Sequence, residues 1–168
     1  MTDPAFTDIL AANHIYAEQF HLGGLRPETA KGLGVLTCMD SRIEPLTMLG
    51  LVPGDAKILR NAGARVTDDA LRSLVLAIHF LGVTRIMVIA HTRCRMTQSS
   101  NDEIRAAIAE RTGVTTDGWE FHAIPDQRET LASDIAALRA CPLIPETVAI
   151  AGLVYDVDNG RLRMEATV

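Results

Sequence analysis

Several things are missing from this chain, and each absence narrows its function. None of its 168 residues form an apolar run near the roughly 20 needed to cross a bilayer, so no membrane-spanning helix is expected. No basic block or aromatic–basic interleaving occurs and the net charge is −5, which argues against a nucleic-acid partner. No G-x-G-x-x-G opens a helix, and Gly32-x-Gly34 precedes a predicted strand instead of following it, leaving a dinucleotide-binding reading weak. Met1-Thr2-Asp3-Pro4 lacks the basic and apolar regions of a signal peptide, so a cytoplasmic protein is expected. There are only 3 cysteines, a number that suits thiols used as ligands or core fillers in a reducing compartment. Without internal repeats, low-complexity tracts or an interdomain linker, residues 1–168 are expected to form a single domain.

What is present is a 48% hydrophobic, 22% charged composition, the balance of a globular protein with a proper core. Pro4 to about Leu22 reads as a helix with apolar Phe6, Ile9, Leu10, Ile15, Tyr16 and Phe20, stopped by Gly23-Gly24. No strand precedes it to pack on, so residues 1–24 are expected to form an arm lying over a neighbour such as a second subunit. Strands are expected at Leu33 to Cys38, Ala56 to Arg60, Thr84 to Ala90 and Thr147 to Tyr155. A short strand is also expected at Trp119 to Ile124, whose residues alternate. Between them, Ile43 to Leu49 fits a short helix before Gly50 and the Pro53-Gly54 turn. Thr67 caps a helix to Gly82 with Leu71, Leu74, Ile78 and Leu81 on one face, and Ser99 or Ser100 caps another ending near Gly113. Arg128 to Ala140 is a further helix, and Asp158-Asn159-Gly160 a hairpin turn into Leu162 to Glu165. This alternation predicts an α/β fold: a mostly parallel sheet of about four strands plus a C-terminal antiparallel strand, flanked by helices. In such sheets ligands bind at the carboxyl ends of the strands.

Two strand ends carry the chemistry. The first delivers Cys38-Met39-Asp40-Ser41-Arg42, where an extended backbone would turn Cys38, Asp40 and Arg42 to one side. The second delivers His91-Thr92-Arg93-Cys94. Alone, each cysteine reads as a small buried hydrophobe, His91 as a hydrogen-bonded loop residue, and Asp40 with Arg42 as a plain loop salt bridge. Together, two Cys and one His at one predicted sheet edge suit zinc better than any other single explanation. A Cys38–Cys94 disulfide is the bland alternative, disfavoured by a reducing compartment. Cys141 reads as a structural thiol, and His14, His21, His79 and His122 as surface or packing residues.

These paired motifs resemble the zinc-site signature of the β-class carbonic anhydrases, in their compact branch. The likeness extends through Asp55 to Gly63, Thr67 to Leu74 and Gly152 to Val157. The resemblance implies that Cys38, His91 and Cys94 bind Zn2+ and that Asp40 and Arg42 form a catalytic carboxylate–guanidinium dyad beside it. It also implies reversible hydration of carbon dioxide to bicarbonate through zinc-bound hydroxide, in a homodimer or dimer of dimers. Asp40 either accepts a hydrogen bond from that hydroxide or swings onto zinc as a fourth ligand, and the residues do not choose. Two thiolates already cancel the charge of the ion, so the bound water should ionise above the value of about 7 known for a three-histidine site.

The chain departs from the family pattern, which usually reads H-T-D-C-G or H-S-x-C-G. Arg93 reverses an expected charge, and Arg95 replaces a glycine, where it would disfavour a positive φ, attract bicarbonate, narrow the pocket or point to solvent. Two further readings therefore stay open: hydrolysis of carbonyl sulfide or carbon disulfide on the same zinc, and a weakly active zinc-binding homologue.

Overall fold

The computed structural model describes residues 4–167. Five strands, β1 (Leu33–Cys38), β2 (Ala56–Asn61), β3 (Arg85–His91), β4 (Ala149–Tyr155) and β5 (Leu162–Thr167), form one sheet in the order β2-β1-β3-β4-β5. The first four run parallel, and β5 is antiparallel to β4 with an irregularity between Gly152 and Leu153. The apolar runs that predicted strands are all in the sheet, and β1 is buried along its whole length, as a central parallel strand requires.

The helices are α1 (Thr7–Glu18), α2 (Pro45–Met48), α3 (Asp68–Leu81), α4 (Asn101–Thr112) and α5 (Gln127–Ala140). Thr67 caps α3 as its sequence predicts, its side chain accepting from the Ala70 N–H. Gly82 closes α3 with φ 72°, a left-handed conformation that favours glycine. Ser100 and Glu103 form a reciprocal capping box on α4. Helices α3 and α5 lie on the same face of the sheet, where Leu74, Leu131, Ile135 and Leu138 pack on Leu36, Ile86, Val88 and Ile150. The opposite face, built from Leu33, Val35, Ile89 and Leu153, is covered only by Met48, Leu49 and Leu51 around the short α2. A cleft of about 430 Å³ stays open there, lined among others by Leu33, Leu49, Leu51, Met87 and Ala151.

Two expectations need correction. Trp119 to Ile124 is not a strand. Its backbone is satisfied one group at a time: the His122 N–H donates to Glu120, the Trp119 carbonyl accepts from Arg105, and the Ile124 N–H donates to the Met96 carbonyl. His122 at φ 54° also breaks the extended run, and Ile124 is buried while Trp119 is exposed. The N-terminal helix is shorter than its apolar pattern, stopping at Glu18 where the Gln19 and Phe20 N–H groups bond back to Tyr16 and Ala17. Residues 1–3 of the expected arm lie outside the described residues. From Pro4 to Glu18 no residue is buried, and Phe6, Ile9, Leu10, Ile15 and Tyr16 are exposed.

Candidate metal centre

The central strands β1 and β3 are neighbours, paired up to Thr37 opposite Ile89. That register brings the tip of β1, ending in Cys38, beside the tip of β3, ending in His91. Three residues further on, past a turn at Thr92 and Arg93, Cys94 is buried as well. The two sulfurs and a ring nitrogen of His91 then lie within 4.8 Å of one another, and all three residues are buried. The cysteines are free, so the disulfide alternative is not what the chain adopts.

The imidazole is fixed in a useful orientation. His91 Nδ1 lies 2.9 Å from the Thr92 carbonyl, a bond only an Nδ1–H can donate, so Nε2 is left as an acceptor. That Nε2 is buried and has no hydrogen-bond partner among the described residues. A buried unpaired nitrogen is costly unless something takes its lone pair. The sulfurs tell the same story. The hydrogen bond from Cys94, with further help from the Gly63 N–H, pulls the Cys38 thiol well below the usual thiol range against the opposing effect of burial. Cys94 is pushed up, first by sharing its proton with Cys38 and then by burial. One proton is thus shared between two buried sulfurs, and a cation would let both be thiolates. Two thiolates and one imidazole nitrogen are a zinc donor set with one tetrahedral position left over.

Gly63 explains how Cys38 keeps its charge. Its N–H lies 3.4 Å from Cys38 Sγ, at φ 85°, and a Cβ there would sit 2.7 Å from Ile124 Cδ1. Only glycine brings its amide this close. Arg60 on β2 holds the same turn, donating to the carbonyls of Cys38 at 3.0 Å and Asp40 at 2.7 Å. Gln127, at the start of α5, donates to the His91 carbonyl at 2.8 Å. These three supports were not singled out from the sequence. The Arg60-Asn61-Ala62-Gly63 run, where β2 ends, was the available signal, whereas Gln127 left none.

Asp40 and Arg42 meet beside the triad, though not by the expected alternation. The strand ends at Cys38, and the chain turns, with the Ile43 N–H donating to the Asp40 carbonyl at 3.0 Å. Asp40 Oδ1 accepts from the Arg42 backbone N–H at 3.0 Å and Nε at 2.9 Å, while Oδ2 accepts from Nη2 at 2.7 Å. This bidentate pair holds the Asp40 carboxyl well below the usual carboxylate range and raises Arg42 further. Asp40 Oδ2 is 3.9 Å from His91 Nε2, close enough to face a group bound there.

Arg95 does not enter the site. It is exposed, opens a short 3₁₀ turn, and donates to the Ser99 hydroxyl at 3.1 Å. The left-handed residue in this loop is Arg93, at φ 55°. His14, His21, His79 and His122 bond elsewhere or face solvent, and Cys141 is half-buried against the α3–α5 core. Among the described residues, no helix is long and apolar enough to cross a membrane.

Comparison with known proteins places this geometry. A family profile described as carbonic anhydrase matches residues 33–162. The chain is 34% identical over 155 residues to "Beta-carbonic anhydrase 1" of Mycobacterium tuberculosis, covering 92% of this chain and 94% of that protein. It is 36% identical over 154 residues to a carbon disulfide hydrolase of Acidianus sp. (strain A1-3), covering 78% and 76% respectively. A crystal structure of carbonic anhydrase from Streptococcus mutans superposes with a TM-score of 0.92 at 38% identity, over 99% of this chain and 100% of that one.

Proposed function

Because the chain belongs to the β-carbonic anhydrase family, we propose that it hydrates carbon dioxide reversibly to bicarbonate and a proton on a zinc ion held by Cys38, His91 and Cys94. The observation that carries this reading is the buried, partnerless His91 Nε2 converging with two sulfurs. Zinc bound there supplies an acidified water as nucleophile. The chain's own residues do the rest. Cys38 and Cys94 hold the ion as thiolates, with the Gly63 N–H spreading the charge of the first. Thr92 fixes the His91 tautomer. Asp40 accepts a hydrogen bond from the attacking oxygen and so aims a lone pair at the carbon. Arg42 keeps Asp40 ionised and off the ion, where its carboxylate can accept that bond. The released proton leaves to buffer.

Metal analysis and stopped-flow hydration of the purified protein test this reading, with stoichiometric zinc and a rate that climbs toward alkaline pH as the expected result. A profile already at its maximum in mildly acidic buffer would contradict the two-thiolate argument. Carbon disulfide is the second reading, favoured by the likeness to carbon disulfide hydrolases, and a sulfide-release assay run in parallel separates the two. Zinc without hydration above background would point to the weakly active homologue, for which Arg93 rather than the solvent-facing Arg95 is then the residue to revert. The three free thiols suit the reducing cytoplasm as the place of action.

The arm belongs in an oligomer. Exposed Ile9, Leu10 and Tyr16 on α1, with Phe6 just before it, and the open apolar cleft by Leu33 and Met87 are both in need of cover, and a second copy of the chain provides each to the other. Deleting residues 1–24 should turn the dimer, or dimer of dimers, into a monomer by sedimentation. An unchanged sedimentation coefficient per assembled subunit would place the interface elsewhere.

A further inference from the structure

Arg93 does two things at once. At φ 55° it adopts a left-handed conformation that is uncommon for a long side chain and easier for Asp or Asn. The two carbonyls of the link therefore serve different groups. The Thr92 carbonyl accepts from His91 Nδ1 at 2.9 Å, and the Arg93 carbonyl accepts from Arg42 Nη2 at 3.2 Å. The same nitrogen donates to Asp40 Oδ2, so Arg42 is gripped from two sides.

The β4–β5 hairpin, more than 60 residues away along the chain, supports that link. The Thr92 N–H donates to the Tyr155 carbonyl at 2.9 Å, and the Val157 N–H donates to Thr92 Oγ1 at 3.1 Å. The Arg93 guanidinium is ion-paired with Asp158. Asp158 is itself fixed, its N–H donating to Asp156 Oδ1 at 2.9 Å.

We propose that Asp158 is a positioning residue: its pair with Arg93 steadies the left-handed link, and through the Arg93 carbonyl it keeps Arg42 and Asp40 turned away from the Cys38–His91–Cys94 triad. The inference rests on the metal-centre reading above. Asp40 Oδ2 is only 3.9 Å from His91 Nε2, so a modest movement brings it to a bound ion. A guanidinium held by Asp40 alone would follow the carboxylate, whereas one also bonded to the Arg93 carbonyl resists. Arg93 and Asp158 are 60% and 57% exposed, so the pair adds little to global stability and its effect belongs in the site. It is also peculiar to a chain with arginine at position 93.

Asp158→Asn keeps size and backbone and removes the charge. In the metal-free protein, solvent exchange of the Arg42 Nε–H, read by nitrogen-15 NMR, should quicken by up to about fivefold, the range of an exposed ion pair. In the zinc-loaded protein kcat/KM should fall by a similar factor while zinc release to a chelator slows, because Asp40 becomes free to reach the ion. In an Asp40→Asn background the slowing should vanish. The exchanged pair Arg93→Asp with Asp158→Arg should restore Arg42 protection. Unchanged Arg42 exchange in Asp158→Asn overturns the proposal whatever the other readouts, and so does faster zinc loss with a lowered Tm, which is ordinary structural damage. If the wild type binds no zinc the functional reading falls, and the exchange measurement on metal-free protein still decides the role of Asp158.

Discussion

Cys94→Ser is expected to strip the protein of stoichiometric zinc and of hydration activity together. A serine hydroxyl stays protonated where a thiolate would form, so a charged donor becomes a poor neutral one. If the total for a zinc site is about 10–16 kcal/mol, the loss of one of three protein donors removes on the order of 3–5 kcal/mol, or about 10²–10⁴-fold in affinity. Cys38→Ser should do the same, and Cys141→Ser, half-buried outside the triad, should do neither. Metal content after dialysis against a mild chelator is the measurement. Retention of one zinc per chain by Cys94→Ser would remove that residue from the ligand set.

Asp40→Asn should separate chemistry from binding. Asparagine is nearly the same size and keeps one acceptor, but it cannot hold Arg42 by a charged, two-point pair. The oxygen that Asp40 aims would lose its acceptor or meet an amide N–H instead. A loss of about 10²–10³-fold in kcat is expected, the usual effect of removing one positioned polar group from a reacting centre. Zinc content should stay near one per chain, because none of the three donors is touched. A variant that lost metal as readily as Cys94→Ser would make Asp40 a resting ligand instead of an orienting group. The strong depression of the Asp40 carboxyl by Arg42 means that ordinary buffers leave it ionised, so no acidic limb from Asp40 should enter the wild-type profile.

How much of this was legible beforehand differs from residue to residue. Cys38, His91 and Cys94 were readable because each ends or directly follows an apolar run, and parallel topology places such ends on one edge. The four parallel strands followed for the same reason, since a buried parallel strand is written as a dense apolar segment, while β5 followed from the Asp158-Asn159-Gly160 turn. Trp119 to Ile124 misled because alternation reports a half-buried extended chain, and it cannot show whether a neighbouring strand is there to pair with. Gln127, Arg60 and Asp158 were hidden because their partners are backbone carbonyls or, for Asp158, an arginine far away along the chain in the loop after β3. Periodicity carries no information about such long-range polar bonds. Arg95 drew suspicion at a position where the strain belongs two residues earlier, a matter of local φ that composition cannot express.

The last rung joining β1 to β3 is Thr37 with Ile89, and Cys38 and Cys94 both sit past it. The scaffold is zipped shut by Leu36, Leu74, Val88 and their neighbours, a core that draws on none of the three donors. Unlike a zinc finger, which collapses when emptied, this protein should stand as a ready-made socket. A zinc ion held there should then be removable, and another tetrahedral divalent ion seated, without passing through the unfolded chain.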